Sequence, residues 1–575
     1  MKVRINNKEY KFDEDITILE ACNRINIKIP TLCYLKEINE IASCRICVVE
    51  LVGKKNLVTA CTTKIMDGME ILTDSKKVID ARKTTLELIL SNHNKSCLSC
   101  DKSGHCELQR LCNIYQVDEN RFQGEKTQTT IDDINPCIVR DNSKCILCNR
   151  CVATCEKIQG TEIIKRNNRG FDTEIGSNFN KKLCETSCVY CGQCVNVCPT
   201  GALMEHDDTQ KVIEALNNPE LHTVVAFAPS IRVAIGEEFG YDYGVNTIGK
   251  MVTSLRMMGF DRIFDVNYGA DLTIVEEANE LLERLETNKH LPLITSCCPG
   301  WVNYVTNNHP ELFKNLSSCK SPQQMMGAII KTYYAKLNKI DPKNIYVVSI
   351  MPCIAKKFER LNVQDATKYS DVDCVLTTRE LAKLIKKYNI DFNNVEPSNP
   401  DLPLGKGNSG IFGASGGVME SALRYAKEVV ENKKFKELDF KEVRGMKGYK
   451  EATVEIKGNK LNILVVNGLI NTKPFIEDIK KNKCKYDFIE VMACPGGCIN
   501  GGGQPFVSLY DRNNVNYKQK RAKGLYNIDK NLKSNKAKDN SYVKNLYQDF
   551  LGEPLSPKAH RILHRKYQDK SKKDN

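Results

Sequence analysis

No stretch of this 575-residue chain approaches the ~18 consecutive apolar residues that span a bilayer, so no membrane segment is expected. The opening MKVRINNKEYKF lacks the apolar core of a secretory signal and has no twin-arginine start, which points to a cytoplasmic protein. Motifs that read nucleic acid are missing too, although the formal charge of +13 would by itself suggest an anionic partner. Neither nucleic acid nor membrane is therefore an expected partner. What offsets the positive balance has to be sought among the cysteines.

There are 27 of them. The cytosol keeps thiols reduced, so disulfides are not the reading, and close C-x-x-C pairs imply metal instead. Iron–sulfur clusters with their thiolate ligands carry net negative charge, which part of the basic excess would balance. The length calls for about four domains at roughly 150 residues each. Nineteen cysteines precede residue 200 and eight are scattered from Cys297 to Cys498. The first half thus reads as small metal-held modules in series, and the second as one large globular domain with a few special sulfurs.

Residues 1–80 combine short alternating runs with a helix-like TILEACNRINI, a small mixed fold. Cys33, Cys44, Cys47 and Cys61 stand in it as C-x10-C-x2-C-x13-C, a longer-looped relative of the plant-ferredoxin pattern that suits a 2Fe–2S cluster, with zinc as the alternative. Cys22, inside the helix-like run, reads as packed core. Residues 81–125 carry His93, Cys97, Cys100 and Cys106 as H-x3-C-x2-C-x5-C. On spacing alone this set holds zinc as easily as iron; its place between iron–sulfur modules favours a 4Fe–4S cluster with one histidine ligand. Residues 126–205 hold a duplication: Cys145, Cys148, Cys151 and Cys155, then Cys188, Cys191, Cys194 and Cys198, each C-x2-C-x2-C-x3-C. This is the bacterial two-cluster ferredoxin run, in which the fourth cysteine of each run serves the other cluster. Cys198 is accordingly assigned with Cys145, Cys148 and Cys151, and Cys155 with Cys188, Cys191 and Cys194.

From residue 206 to about 520 the texture changes to apolar runs (TVVAFAP, PLITSC, NIYVVSIMPC, LNILVVNG, YDFIEVMACP) alternating with helical periods. Such alternation predicts α/β layers with ligand sites at the carboxyl ends of strands. Cys297 and Cys298 end one run, Cys353 ends another and Cys494 opens the loop after a third, as a site would and core cysteines would not. The adjacent pair in TSCCPGW is awkward for one ion, because neighbouring side chains of an extended chain point to opposite faces. GKGNSG, residues 405–410, matches G-x-G-x-x-G, but the polar SNPDLPL stands before it where a strand is required, so no nicotinamide site is read there.

TSCCPGW, MPCIAKK and MACPGGCINGGGQP, in this order behind a two-cluster ferredoxin run, resemble the three signature segments of the iron–iron (FeFe) hydrogenases. The resemblance spans the whole chain and is strongest to the monomeric clostridial type with four accessory clusters. It implies a multidomain α+β and α/β protein, ferredoxin-like modules followed by a large two-lobed α/β catalytic domain. It implies one 2Fe–2S cluster, three accessory 4Fe–4S clusters and an H-cluster, a 4Fe–4S unit joined to a diiron unit bearing carbon monoxide, cyanide and an azadithiolate. Cys298, Cys353, Cys494 and Cys498 would hold the cubane, with Cys498 bridging to the diiron unit. Cys297 would be the first proton carrier. A thiol of pKa about 8.5 is mostly protonated yet gives up its proton readily. The family's proton route would continue through Glu277, Ser317, Glu280 and Arg284. Lys356 would donate to one cyanide; the backbone of Ala228 and Pro229 and the Ser230 hydroxyl would line the other; Gln323, Met351 and Met492 would wall the pocket.

Read from the residues alone, the helix starting at Asp271 has an apolar stripe of Ile274, Ala278, Leu281 and Leu285, with Glu277, Glu280 and Arg284 on a neighbouring face that ordinarily is solvated. The lysine- and asparagine-rich tail, residues 521–575, resembles the small subunit of some relatives, with a disordered basic tail as the alternative. The family resemblance implies a hydrogenase, fed by ferredoxin or a similar soluble carrier and dependent on maturation proteins. A hydrogen sensor or an electron-transfer subunit like that of respiratory complex I is the alternative. The retained Cys297 argues against the first, and the three signature segments together argue against the second.

Overall fold

The computed structural model describes residues 1–361, 369–435 and 438–569. They form two compact units. The first comprises Met1–Thr186, Gln193–Met204 and Phe506–Asn516; the second comprises Ser187–Gly192, Glu205–Pro505 and Tyr517–Asn575.

The first unit opens with β1 (Lys2–Ile5), β2 (Lys8–Lys11), β3 (Val48–Leu51), β4 (Val58–Thr59) and β5 (Glu70–Leu72), ordered β2-β1-β5-β3-β4. Alternation in KVRI turns Val3 and Ile5 inward, as a half-buried strand requires. The helix Ile18–Arg24 starts at a reciprocal cap: the Thr17 hydroxyl accepts from the Glu20 N–H, and the Glu20 carboxylate accepts from the Thr17 N–H. Its Ile18, Leu19, Ala21 and Cys22 pack with Val3, Ile5, Val49 and Ile71, so Cys22 is core. Next come β6 (Ile131–Asp132), β7 (Ile138–Asp141), β8 (Ile164–Asn167), β9 (Glu174–Ser177) and β10 (Leu203–Glu205). They make a three-stranded sheet, β10-β7-β6, and a β8-β9 pair.

The second unit is built on two four-stranded sheets. One takes β11 (His222–Phe227), β12 (Arg262–Asp265), β14 (Ile345–Met351) and β15 (Cys374–Thr377) in the order β12-β11-β14-β15, all parallel. The other takes β13 (Leu293–Ile294), β16 (Tyr449–Ile456), β17 (Asn459–Asn467) and β18 (Phe488–Met492) as β13-β18-β17-β16, with only β16 antiparallel. Every residue of β15 and β18 is buried, the pattern of strands covered on both faces. Cys374, in β15, is core as well. The five apolar runs read from the sequence are thus β11, β13, β14, β17 and β18, and their alternation with helices is the two-lobed α/β architecture.

The helix carrying Glu277 runs Asn267–Thr287, one turn longer at its start than the expected Asp271. The expected solvated face is also corrected. Helices Pro322–Ile329 and Gly417–Val430 pack against this helix, and Glu277 and Glu280 are buried with it. A one-dimensional apolar stripe reports one contact face; a helix enclosed from several sides buries its polar face as well.

The basic tail is folded over its described residues, 521–569. Helices Ser541–Leu546 and Pro557–Leu563, with Leu551 between them, add Leu546, Leu551, Ile562 and Leu563 to the same core as the two sheets, and helix Tyr517–Lys530 packs Ala522 and Leu525 with Ile499. Its cations are paired as they are buried: Arg521 with Glu237 at 2.5 Å and Lys536 with Glu428 at 2.6 Å.

Candidate active site

Four parallel strands deliver the chemistry of the second unit. Ala228, Pro229 and Ser230 follow β11; Cys297 and Cys298 follow β13; Met351 ends β14 with Cys353 two residues on; Met492 ends β18 with Cys494 and Cys498 beyond it. Lys356 comes from the short helix Ala355–Glu359 and Gln323 from the first turn of Pro322–Ile329. All of these line one cavity of about 80 Å³. The sequence did not flag the apolar part of its wall, which includes Val266, Ala270, Pro299, Phe412 and Gly413. These are ordinary core residue types with no chemistry to mark them.

The cavity suits a thiolate-bound metal cluster. Burial, then the neighbouring thiols, pushes Cys353 up to about 12. It pushes Cys494 and Cys498 up as well, with Cys353 and Cys298 each adding to the effect. Four crowded, desolvated sulfurs are poor thiolates by themselves and become good ones when a cation binds them. The loop CPGGCINGGG folds tightly around this point. Gly497 has φ +94°, and a Cβ on Gly501 would lie 2.1 Å from the Pro352 carbonyl oxygen, so neither position accepts a side chain.

The two adjacent cysteines diverge. The Cys298 sulfur accepts from the Ala493 N–H at 3.3 Å. Cys297 sits in the main core, only 9% exposed. Burial first, then the charge of Glu277, raises the Cys297 thiol well above its ordinary range, so it stays protonated. The desolvated pocket thus favours the neutral, proton-holding form of Cys297.

Glu277 is fully buried, and neither carboxyl oxygen has a partner at hydrogen-bond distance. Burial raises its pKa to about 8; the nearby Ser317 hydroxyl pulls the other way, while Glu280 and Glu490 add to the rise. Ser317 donates to Glu280 at 3.0 Å, and Arg284 donates to the other Glu280 oxygen at 2.6 Å. Arg284 is itself fixed by the carbonyls of His290 and Leu316. Arg284, Glu280 and Ser317 are thus joined by hydrogen bonds, and Glu277 lies buried near the Ser317 hydroxyl.

Lys356 donates to the Cys297 carbonyl at 3.3 Å and pairs with Glu359 at 2.8 Å. Burial works against the ammonium, but Glu359 overcomes it and the Lys356 pKa is raised. Glu359 also accepts from Gln323 at 3.1 Å and from Ser321 at 2.9 Å. The Gln323 Oε1 is buried and unpartnered. At the β11 turn the Ala228 N–H continues to the Ile350 carbonyl, and the fully buried Ser230 hydroxyl accepts from Gln504 at 3.3 Å. Glu359 and Glu490 were missed from the sequence. The first had a signal, Lys356 and Glu359 at i,i+3 on one helix; the second, inside the apolar run of β18, accepts from the N–H groups of Gly416 and Met419 at a helix start.

The other expected ligands fall as follows. Cys33, Cys44, Cys47 and Cys61 act on one another: the Cys47 and Cys61 sulfurs are 3.3 Å apart, and hydrogen bonding from Cys33 lowers Cys44 to about 6. His93 ends the helix Lys76–Asn92; its buried Nδ1 has no partner and burial lowers its pKa to about 4, leaving a neutral imidazole able to ligate. Cys97 and Cys100 share a turn, and partial burial together with the Cys100 charge raises the half-buried Cys106. Cys145, Cys148, Cys151 and Cys198 line a single small cavity of the first unit. Cys155 and Cys194 belong to that unit, and Cys188 and Cys191 to the second. There Cys191 packs against the core of Ile294 and Trp301, and its charge acts on Cys494.

Cysteines gathered at strand ends around one buried cavity suit a thiolate-held cluster, the class of site that an iron–sulfur redox enzyme carries. The family model "Iron only hydrogenase large subunit, C-terminal domain" matches residues 221–502 and "Iron hydrogenase small subunit" matches 515–570. A 2Fe–2S cluster-binding domain matches 1–76, an iron–sulfur binding region of NADH-ubiquinone oxidoreductase matches 82–121 and a ferredoxin-like domain of NADH-quinone oxidoreductase matches 135–204. The chain is 45% identical to Iron hydrogenase 1 of Clostridium pasteurianum, covering 98% of this chain and 99% of that one. It is 44% identical to the NADP-reducing hydrogenase subunit HndD of Solidesulfovibrio fructosivorans, covering 99% and 98%. A solved structure of FeFe-hydrogenase HydA1 from Chlamydomonas reinhardtii covers 63% of this chain and 99% of its own, at 36% identity and a TM-score of 0.56. The chain belongs to the iron-only (FeFe) hydrogenase family. It is an iron–sulfur enzyme, and no described helix is long and apolar enough to cross a membrane.

Proposed function

We propose that the protein catalyses the reversible reduction of protons to hydrogen, with electrons supplied by ferredoxin or a similar soluble carrier. Electrons would enter at one 2Fe–2S cluster on Cys33, Cys44, Cys47 and Cys61 or at the histidine-ligated one of three accessory 4Fe–4S clusters, and converge on the other two. The three accessory clusters are held by His93, Cys97, Cys100 and Cys106, by Cys145, Cys148, Cys151 and Cys198, and by Cys155, Cys188, Cys191 and Cys194. The five domains would run 1–80, 81–125, 126–205, 206–520 and 521–575.

Cys298, Cys353, Cys494 and Cys498 would hold the H-cluster, installed by maturation proteins, and this group supplies the redox chemistry when bound. The chain's own residues do the rest. Lys356 is held as an ammonium by Glu359 and presents positive charge to an anionic ligand at the cavity wall. Gln323, whose carbonyl oxygen is unpartnered, Ser230, Met351 and Met492 line the same space. Protons enter at Arg284 and Glu280, pass the Ser317 hydroxyl to Glu277, and are handed to Cys297, the last protein group.

The observation that carries this reading is Glu277: a buried carboxyl, unpartnered, with a pKa near the operating pH, next to a thiol that burial keeps protonated. The test is hydrogen evolution from reduced methyl viologen by anaerobic protein fully loaded with clusters, beside Cys297→Ala prepared identically. Activity in the parent that collapses in the variant is the expected result. A loaded parent that evolves no hydrogen would make the protein a sensor or electron carrier on this frame.

A further inference from the structure

Behind the proposed proton route lies a second group of metal-type donors, outside the cavity. Glu280, Cys319 and His564 each offer a ligand atom, all within 4.8 Å of one another, and all three residues are buried. The Cys319 sulfur is 3.8 Å from Glu280 Oε2, near the ~3.5 Å edge of a tetrahedron with zinc-like bond lengths. Cys319 and His564 are brought together by a β-bridge between the chain before Pro322 and the C-terminal segment. Thiolate, imidazole and carboxylate are the donor types zinc takes, and one thiolate plus one carboxylate neutralise a divalent charge.

The histidine is also set as a ligand. His564 Nε2 and a Glu276 oxygen are 2.9 Å apart. Glu276 is held in turn by the Tyr547 hydroxyl and the Leu555 N–H. With Nε2 donating to this carboxylate, Nδ1 carries the lone pair, and it now takes the Ser318 hydroxyl at 2.8 Å. A carboxylate behind the non-ligating nitrogen is the arrangement that fixes metal-binding histidines. Exposed His560 offers an approach from solvent: its ring is tilted against that of His564, with centroids 4.1 Å apart.

We propose that Glu280, Cys319 and His564 form a site for a divalent cation of the zinc class, and that its occupation closes the proton route by taking Glu280 as a ligand. Binding exchanges the Cys319 thiol proton for the metal: one Zn²⁺ enters, one proton leaves, and no electron moves. The binding stands apart from the proposed relay; the effect on turnover rests on it.

The test uses cluster-loaded full-length protein with one equivalent of Zn²⁺, desalted and examined by metal analysis and zinc X-ray absorption. The expected shell has one sulfur at about 2.3 Å and nitrogen or oxygen at about 2.0–2.2 Å, with one proton released per zinc. Cys319→Ser and His564→Asn, checked for parental iron content, lose that shell. Glu276→Gln weakens binding about 10–100-fold through the histidine. Zinc lowers hydrogen evolution by the parent, chelator restores it, and the variants need more zinc for the same loss. No retained zinc, no proton release, or a shell of sulfur alone drawn from cluster cysteines would overturn the site. The predicted shell with undiminished hydrogen evolution would overturn the gating and place the proton route elsewhere, while leaving the site standing.

Discussion

Lys356 and Glu359 form a buried ion pair at 2.8 Å, one turn apart on the helix that follows Cys353. Glu359 also takes Gln323 and Ser321, so a single carboxylate sets the position of two cavity side chains. A charged lysine in such a place needs its partner, since an uncompensated buried charge costs about 3–5 kcal/mol.

Glu359→Gln should therefore cost stability and change the behaviour of Lys356. The raised Lys356 pKa means that its stabilising contribution is present below the ordinary lysine value and is lost as pH climbs through the folded value. Without Glu359, burial alone acts on the ammonium and Lys356 neutralises at lower pH. The alkaline limb of the activity profile should move acidward, and the infrared bands of the cluster's diatomic ligands should shift. A variant with the parent's alkaline limb and bands would show that Glu359 only packs.

How much of this was legible in the sequence differs by kind of residue. The cysteine runs of the first half were, because metal chemistry imposes short spacings that packing does not. The strand-end placement of Cys297, Cys298, Cys353 and Cys494 was legible because α/β alternation is a local pattern. The burial of Glu277 was not: its helix has one apolar stripe, and only the neighbouring helices Pro322–Ile329 and Gly417–Val430 enclose the other face. The role of His564 was equally hidden, because it depends on a tail meeting residues some 245 positions earlier, as at Ser318.

The Glu277 carboxyl gives a pH prediction with a definite sign. Its folded pKa of about 8 lies above the ordinary 4.5, so the folded chain binds this proton more tightly than the unfolded one. The stability it contributes is present below about 4.5 and is lost as pH rises through about 8. Glu277→Gln is neutral throughout and escapes that loss, so its unfolding midpoint should fall less than the parent's between about pH 5 and 8. Its hydrogen evolution should drop by about 10²–10⁴-fold, the usual worth of a positioned proton carrier. Parallel stability profiles for the two proteins would mean that Glu277 is ionised in the folded state, against the reading of a neutral relay.

Arg521 ties the C-terminal segment to the cluster loop. It holds Glu237 through two bonds, at 2.7 and 2.5 Å, and donates to the carbonyl of Ile499, the residue after Cys498, at 2.7 Å. Arg521→Ala leaves Glu237 buried beside a vacated space and frees the loop on which Cys498 is presented. Stability should fall by about 3–5 kcal/mol, seen as a lower unfolding midpoint of the second unit, and the H-cluster should load less completely. Arg521→Ala with Glu237→Gln removes the stranded charge and should recover much of the stability. It should recover little of the loading, because the bond to Ile499 is still missing. Equal recovery of both would assign the whole effect to the ion pair and leave the Ile499 contact without a role.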